Sequence, residues 1–151
     1  MKNPPAFSHL DATGKARMVD VSHKPDQIRR AIAEAVLECQ PGTLRLIRQK
    51  ALPKGDVLTV AQIAGVLAAK KTSDLIPLCH SLPLSHADVQ FRLRRDGIHI
   101  RAEASTTAKT GVEMEALTAA SVAALTLYDM CKAVDKTMTV TGLRVVEKVK
   151  E

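Results

Sequence analysis

The chain has 151 residues, 46% hydrophobic and 25% charged, with a formal net charge of +6. It is long enough for one domain with a hydrophobic core, offers no obvious place to divide, and has no apolar run near the roughly 20 residues of a membrane helix. Three widely spaced cysteines, Cys39, Cys79 and Cys131, argue against a disulfide framework and a structural zinc site.

A single domain over residues 1–151 is therefore expected. The opening MKNPPAFSHLD lacks the apolar core of a secretory signal, so a cytoplasmic location is the expectation. Residues 1–11 read as a loose N-terminal arm that orders against a partner or neighbour. Ala16 to Val21 has the alternation of a short strand. A helix is expected from Ser22 or His23, with Pro25 in its first turn, a stripe of Ile28, Ala31, Ile32, Ala35, Val36 and Cys39, and Pro41-Gly42 as its stop. Thr43 to Gln49 alternates as a one-sided strand does, and a loop with Pro53, Lys54, Gly55 and Asp56 follows.

A second helix is expected from Thr59 to Lys71. Its face of Ala61, Ala64, Gly65, Ala68 and Ala69 is small enough for another backbone to approach closely. Leu75 to Leu84, with Pro77 and Pro83, reads as an irregular apolar segment. Ala87 to Leu93 and Ile98 to Ala104 flank Arg94-Arg95-Asp96-Gly97, a hairpin signal in which Asp and Gly both tolerate positive φ. From Thr110 a long helix is expected to about Val134, opened by a capping box of Thr110 and Glu113. A strand from Met138 to Val146 completes an α+β sandwich, one antiparallel sheet covered by helices.

The long helix is apolar almost all round, which predicts burial. Val122, Leu125, Asp129, Lys132 and Lys136 share one stripe, so a carboxylate and amines continue an apolar seam. Asp129 and Lys132 read either as a structural ion pair or as a proton-exchanging pair, with the lysine desolvated enough to work near neutrality. Lys54-Gly55-Asp56 and Lys70-Lys71 read as solvated surface or as point charges for phosphate. Neither GxxxxGK[ST] nor GxGxxG occurs, which excludes a P-loop and a dinucleotide-binding turn. His80, beside Cys79, is either a hydrogen-bonded core residue or a functional one, and adjacent side chains in extended chain do not make a nucleophilic dyad.

Taken together, Lys54-Gly55-Asp56-Val57, the run from Ala68 to His80, Thr110-Gly111-Val112-Glu113-Met114-Glu115-Ala116-Leu117-Thr118-Ala119 and Tyr128-Asp129-Met130-Cys131-Lys132-Ala133-Val134 resemble the cyclic pyranopterin monophosphate synthases (MoaC). Ser8-His9-Leu10-Asp11 and Met18-Val19-Asp20-Val21 fit as well. The resemblance implies a ferredoxin-like fold assembled as a homohexamer, a trimer of dimers, with active sites shared between subunits. It implies a lyase that rearranges 3′,8-cyclo-7,8-dihydroguanosine triphosphate to cyclic pyranopterin monophosphate and pyrophosphate in molybdenum cofactor biosynthesis. Asp129 and Lys132 would be the catalytic acid/base pair. Leu78, Cys79, His80, Met114 and Glu115 would contact substrate, Lys54 and Lys70 would face the triphosphate, Glu113 would form part of the polar wall, and Lys148 would reach the same pocket.

Two departures stand out: Ser81 replaces the proline usual after the histidine, and the tail Lys148-Val149-Lys150-Glu151 lacks a glycine-rich extension. No cofactor and no dedicated metal ligands are expected, although a divalent ion can travel with the triphosphate. The rival readings are a basic nucleic-acid-binding module and a non-catalytic scaffold. The first is disfavoured by an aromatic content of 2% and by the absence of a binding motif. Neither nucleic acid nor a membrane is expected as a partner.

Overall fold

The structure, a computed structural model, describes residues 9–151. Its elements run β1 (Gln27–Glu38), α1 (Pro41–Arg48), α2 (Val57–Lys70), α3 (Thr72–Leu75), β2 (Leu84–Arg94), β3 (Gly97–Ala108), α4 (Glu113–Cys131) and β4 (Thr139–Lys150). The strands form one sheet in the order β2-β3-β1-β4, every neighbouring pair antiparallel. An α+β fold with helices on one face of an antiparallel sheet is thus what the chain adopts.

The first half differs from the sequence reading in three places. Of the expected arm, residues 1–8 lie outside the described residues. Within the part that is described, Asp11 accepts hydrogen bonds from the Thr13 and Lys15 amides at 2.8 and 2.9 Å, and Leu10 bridges Ala16. Ala16 to Val21 is otherwise not a strand. The expected helix from Ser22 to Cys39 is the central strand β1. Its alanines suit a helix, but Ala31, Ala33, Ala35 and Leu37 alternate onto the covered face and are all at most 1% exposed, while Arg30 and Glu34 point to the other face. Pairing on both edges, with β3 and β4, outweighs the intrinsic preference of alanine.

The third correction is α1. Thr43 to Gln49 was expected as a strand, and Pro41-Gly42 as a stop, yet Pro41 occupies the first helical turn. The buried residues Thr43, Leu44 and Ile47 follow helical rather than alternating spacing.

The second half follows the sequence reading closely. In the β2–β3 hairpin Arg94 pairs with Gly97, so Arg95 and Asp96 form the turn. Only Gly97 takes positive φ, at 146°, and a Cβ there would strike the backbone carbonyl of Leu37. α2 starts at Asp56, whose carboxylate accepts from the Thr59 amide at 3.2 Å. Gly65 lies where α2 meets α4, and an added Cβ would sit 2.8 Å from Val89 and 2.9 Å from the Ala119 carbonyl oxygen. Against the sheet, α4 packs Ala116, Ala119, Ala120, Ala123, Ala124 and Leu127. Small residues on both surfaces keep the helices close to β1 and β3.

The capping box does not form. The residue before α4 is Val112, with no side-chain cap, and Glu113 instead pairs with Lys148 on β4. Nor is α4 buried all round: Leu125 is 61% exposed, in company with Val60, Ile63 and Leu67 of α2. No helix of the described residues is long and apolar enough to cross a membrane.

Candidate active site

α2 and α4 run antiparallel, because Lys54, just before α2, contacts the last turn of α4, while the segment after α2 returns to its first turn. Polar side chains gather at each end of this helix pair, in two separate clusters.

At the N-terminal end of α4 lies a cavity of about 360 Å³. Leu78, Cys79, His80 and Leu82 come from the irregular segment, Glu113, Met114 and Glu115 from the first turn of α4, and His9, Val19, Val21 and Lys24 from the N-terminal segment. Two prolines keep residues 76–83 out of the sheet, which lets their side chains line the cavity. His80 Nε2 lies 2.7 Å from the Val19 carbonyl oxygen. A carbonyl only accepts, so Nε2 donates, and Nδ1 of the neutral ring is left as the acceptor.

Glu115 is 4% exposed, and its burial pushes the carboxyl above the usual range; the nearby Glu113 adds to this, and His80 and a backbone hydrogen bond oppose it. The same burial, with Glu115 beside it, raises the Cys79 thiol. Lys70, in the last turn of α2, stands at this end of the helix pair without lining the cavity. Lys148 reaches the cluster through its ion pair with Glu113. Arg29 occupies the same sheet face as Lys148 by register, and its Nε is a buried donor without a partner among the described residues.

At the C-terminal end of α4, Lys132 Nζ donates to Asp129 Oδ1 at 2.6 Å. Lys54 Nζ donates to Asp129 Oδ2 at 3.1 Å and to the Asp129 backbone carbonyl at 3.3 Å. Two ammoniums on one carboxylate leave the cluster cationic. Hydrogen bonds from Lys132 and then Lys54 hold the Asp129 carboxyl below its ordinary value, and the bond to Asp129 raises Lys132. A lysine lowered toward neutrality by desolvation was the expectation; in the single chain Lys132 is 57% exposed, so pairing outweighs burial. The resting pair is carboxylate plus ammonium, with Asp129 able to accept a proton and Lys132 to donate one.

The structure thus gathers Leu78, Cys79, His80, Glu113, Met114, Glu115 and Lys148 at one end of α4. It gathers Lys54, Asp129 and Lys132 at the other. Within one chain the two sets do not meet. The sequence reading did not single out Val19, Val21, Lys24, Thr110 or Gly111 as lining residues, since only the fold brings the N-terminal segment onto α4. Among the described residues no group of three or more His, Cys, Asp or Glu side chains converges as metal ligands.

Comparison with known proteins follows the same lines. The profile of the MoaC family matches residues 18–150. A cyclic pyranopterin monophosphate synthase of Chloroflexus aggregans is 58% identical over 144 residues, 94% of this chain and 87% of that one. Another, from Nitratidesulfovibrio vulgaris, is 53% identical over 98% of this chain and 93% of its own. A molybdenum cofactor biosynthesis bifunctional protein of Chlorobaculum tepidum is 56% identical over 142 residues, which make up 46% of its length.

Proposed function

The chain belongs to the MoaC family, and from that premise we propose how its two clusters serve one reaction. The protein is a cyclic pyranopterin monophosphate synthase, a lyase of molybdenum cofactor biosynthesis. It converts 3′,8-cyclo-7,8-dihydroguanosine triphosphate to cyclic pyranopterin monophosphate and releases pyrophosphate. The observation that carries this reading is 58% identity to a protein of that activity across 94% of the chain.

The β-α-β-β-α-β order with strands 2-3-1-4 is the ferredoxin-like arrangement. The catalytic unit is a homo-oligomer, a hexamer built as a trimer of dimers, with each site formed by two chains. The apolar stripe of Val60, Ile63, Leu67 and Leu125 on α2 and α4 is left uncovered by the described residues of one chain. Packing two such faces about a twofold axis perpendicular to α4 sets the end of one α4 against the beginning of the other. Asp129, Lys132 and Lys54 of one chain then close over the cavity that holds His80 and Glu115 of its partner. This supplies the water-poor surroundings that the exposed pair lacks alone.

In that site Lys54, Lys70, Lys132 and Lys148 neutralise the triphosphate, and their charge stabilises the pyrophosphate as it leaves. Asp129 accepts and Lys132 donates protons as the rings open and close, while His80 and Glu115 hold the guanine-derived part. The chain uses no resident cofactor; a divalent ion, where present, arrives with the triphosphate. The setting is the cytoplasm. The decisive assay supplies the cyclic dihydro-GTP to purified protein and measures pyranopterin together with pyrophosphate. Both are expected in equal amounts with the wild type and neither with Lys132→Ala. Undiminished product from that variant would refute the assignment of the pair.

A further inference from the structure

We propose that Asp135 is a positioning residue for the reacting pair, clamping the chain just beyond α4 to the start of α1 and so fixing where Lys132 stands. This rests on the reading that Asp129 and Lys132 carry the proton transfers.

Asp135 is 4% exposed and makes no ion pair among the described residues. Its two oxygens are divided between two pieces of chain. Oδ2 accepts from the Gln40 amide at 2.8 Å and from the Thr43 hydroxyl at 2.9 Å, both at the start of α1. Oδ1 accepts from the Thr137 amide at 2.9 Å and the Thr137 hydroxyl at 2.8 Å. A buried carboxylate without a cation is costly unless donors fill it, and here four do. Burial alone would push this carboxyl up; the amides of Gln40 and Thr137 and the two hydroxyls outweigh it and hold it at about 2. It is ionised throughout the working range, so the clamp does not titrate with the reaction.

Lys132 lies between this clamp and the helix. It is the residue that ends α4, its amide donates to the Tyr128 carbonyl at 2.9 Å, and the Asp135 amide donates to the Cys131 carbonyl at 3.1 Å. Its side chain is 57% exposed and touches Asp129 at its tip. Helix ends fray, and the last turn of α4 carries both reacting groups, so an anchor three residues beyond Lys132 restricts that fraying. A second strut, Gln40 Nε2 to Thr137 Oγ1 at 3.1 Å, ties the same two pieces together.

The test compares kcat and KM for the cyclic dihydro-GTP in wild type, Asp135→Asn, Thr43→Val and Lys132→Ala, with melting temperature measured for each. Displacing a reacting group by about 1 Å costs on the order of a hundredfold in rate. Asp135→Asn is therefore expected to lose tenfold or more in kcat with KM nearly unchanged, and Thr43→Val, which removes one strut without changing side-chain size, to lose severalfold. Full kcat in a folded Asp135→Asn protein, or a loss confined to KM, overturns the proposal. Should that variant fail to fold, an unchanged kcat in Thr43→Val at native-like melting temperature overturns it. Normal turnover by Lys132→Ala overturns the underlying reading as well, and is recognisable because Asp135 is intact there.

Discussion

Glu115 and Asp129 stand on the same helix, one in its first turn and the other in its last, about 20 Å apart along the axis at 1.5 Å per residue. No motion of a single folded chain brings their side chains together. If both serve one reaction, they do so across a subunit boundary.

Mixing experiments test this directly. Lys132→Ala and His80→Ala are each expected to be inactive. Co-refolded in equal amounts, they should recover about one quarter of wild-type activity, because half of the dimers pair one of each and one site in every such dimer is intact. Absence of any recovery in a demonstrably mixed oligomer would contradict shared sites.

The apolar stripe makes a second, physical prediction. Leu125 is 61% exposed in the single chain. Leu125→Lys, paired with Ile63→Lys, should leave the secondary structure unchanged and shift the protein to smaller species in analytical ultracentrifugation, with activity lost in proportion. An unaltered sedimentation coefficient would place the interface elsewhere.

Glu115 gives a prediction about pH. Burial holds its folded-state carboxyl above the ordinary value of 4.5. A raised carboxyl favours folding while protonated, so its contribution is present below pH about 4 and is lost as pH rises through the folded value. Glu115→Gln removes the charged form and should raise the melting temperature at pH 8 relative to wild type, with the difference vanishing near pH 4. A variant equally or more destabilised at pH 8 would contradict the burial account.

Close approach of α2 and α4 depends on Gly65. A valine there would meet Val89 and the Ala119 carbonyl, a backbone atom that cannot turn away. Gly65→Val is expected to cost about 1–3 kcal/mol through overpacking, read as a lower denaturant midpoint with unchanged slope.

Legibility in the sequence followed the strength of local signals. The hairpin, α2, α4 and β4 could be placed because alternation, turn chemistry and long apolar runs agree there. β1 and α1 were exchanged for one another. Residues 28–39 are rich in alanine and fit a helical stripe as well as an alternating one, and only the two neighbouring strands decide between them. Residues 43–49 alternate by chance over a stretch too short to separate the two periods. Glu113 matched a capping pattern, but Lys148, far away in the chain, offered its carboxylate a better partner. Asp135 carried no signal beyond a short polar stretch, since its partners Gln40 and Thr43 lie far back in the chain.

What the sequence determined by itself was the set of chemical groups: a carboxylate and an amine one helical turn apart, a histidine held in an irregular segment, and lysines for an anionic substrate. These are local facts, fixed by spacing along one helix or by prolines beside a side chain. The tertiary structure alone decided their distribution. Packing α2 antiparallel to α4 put Lys54 on Asp129 and carried His80 to the far end, because the antiparallel β2–β3 hairpin between the two helices reverses the chain before α4 begins. It also left an apolar face with nothing among the described residues to cover it.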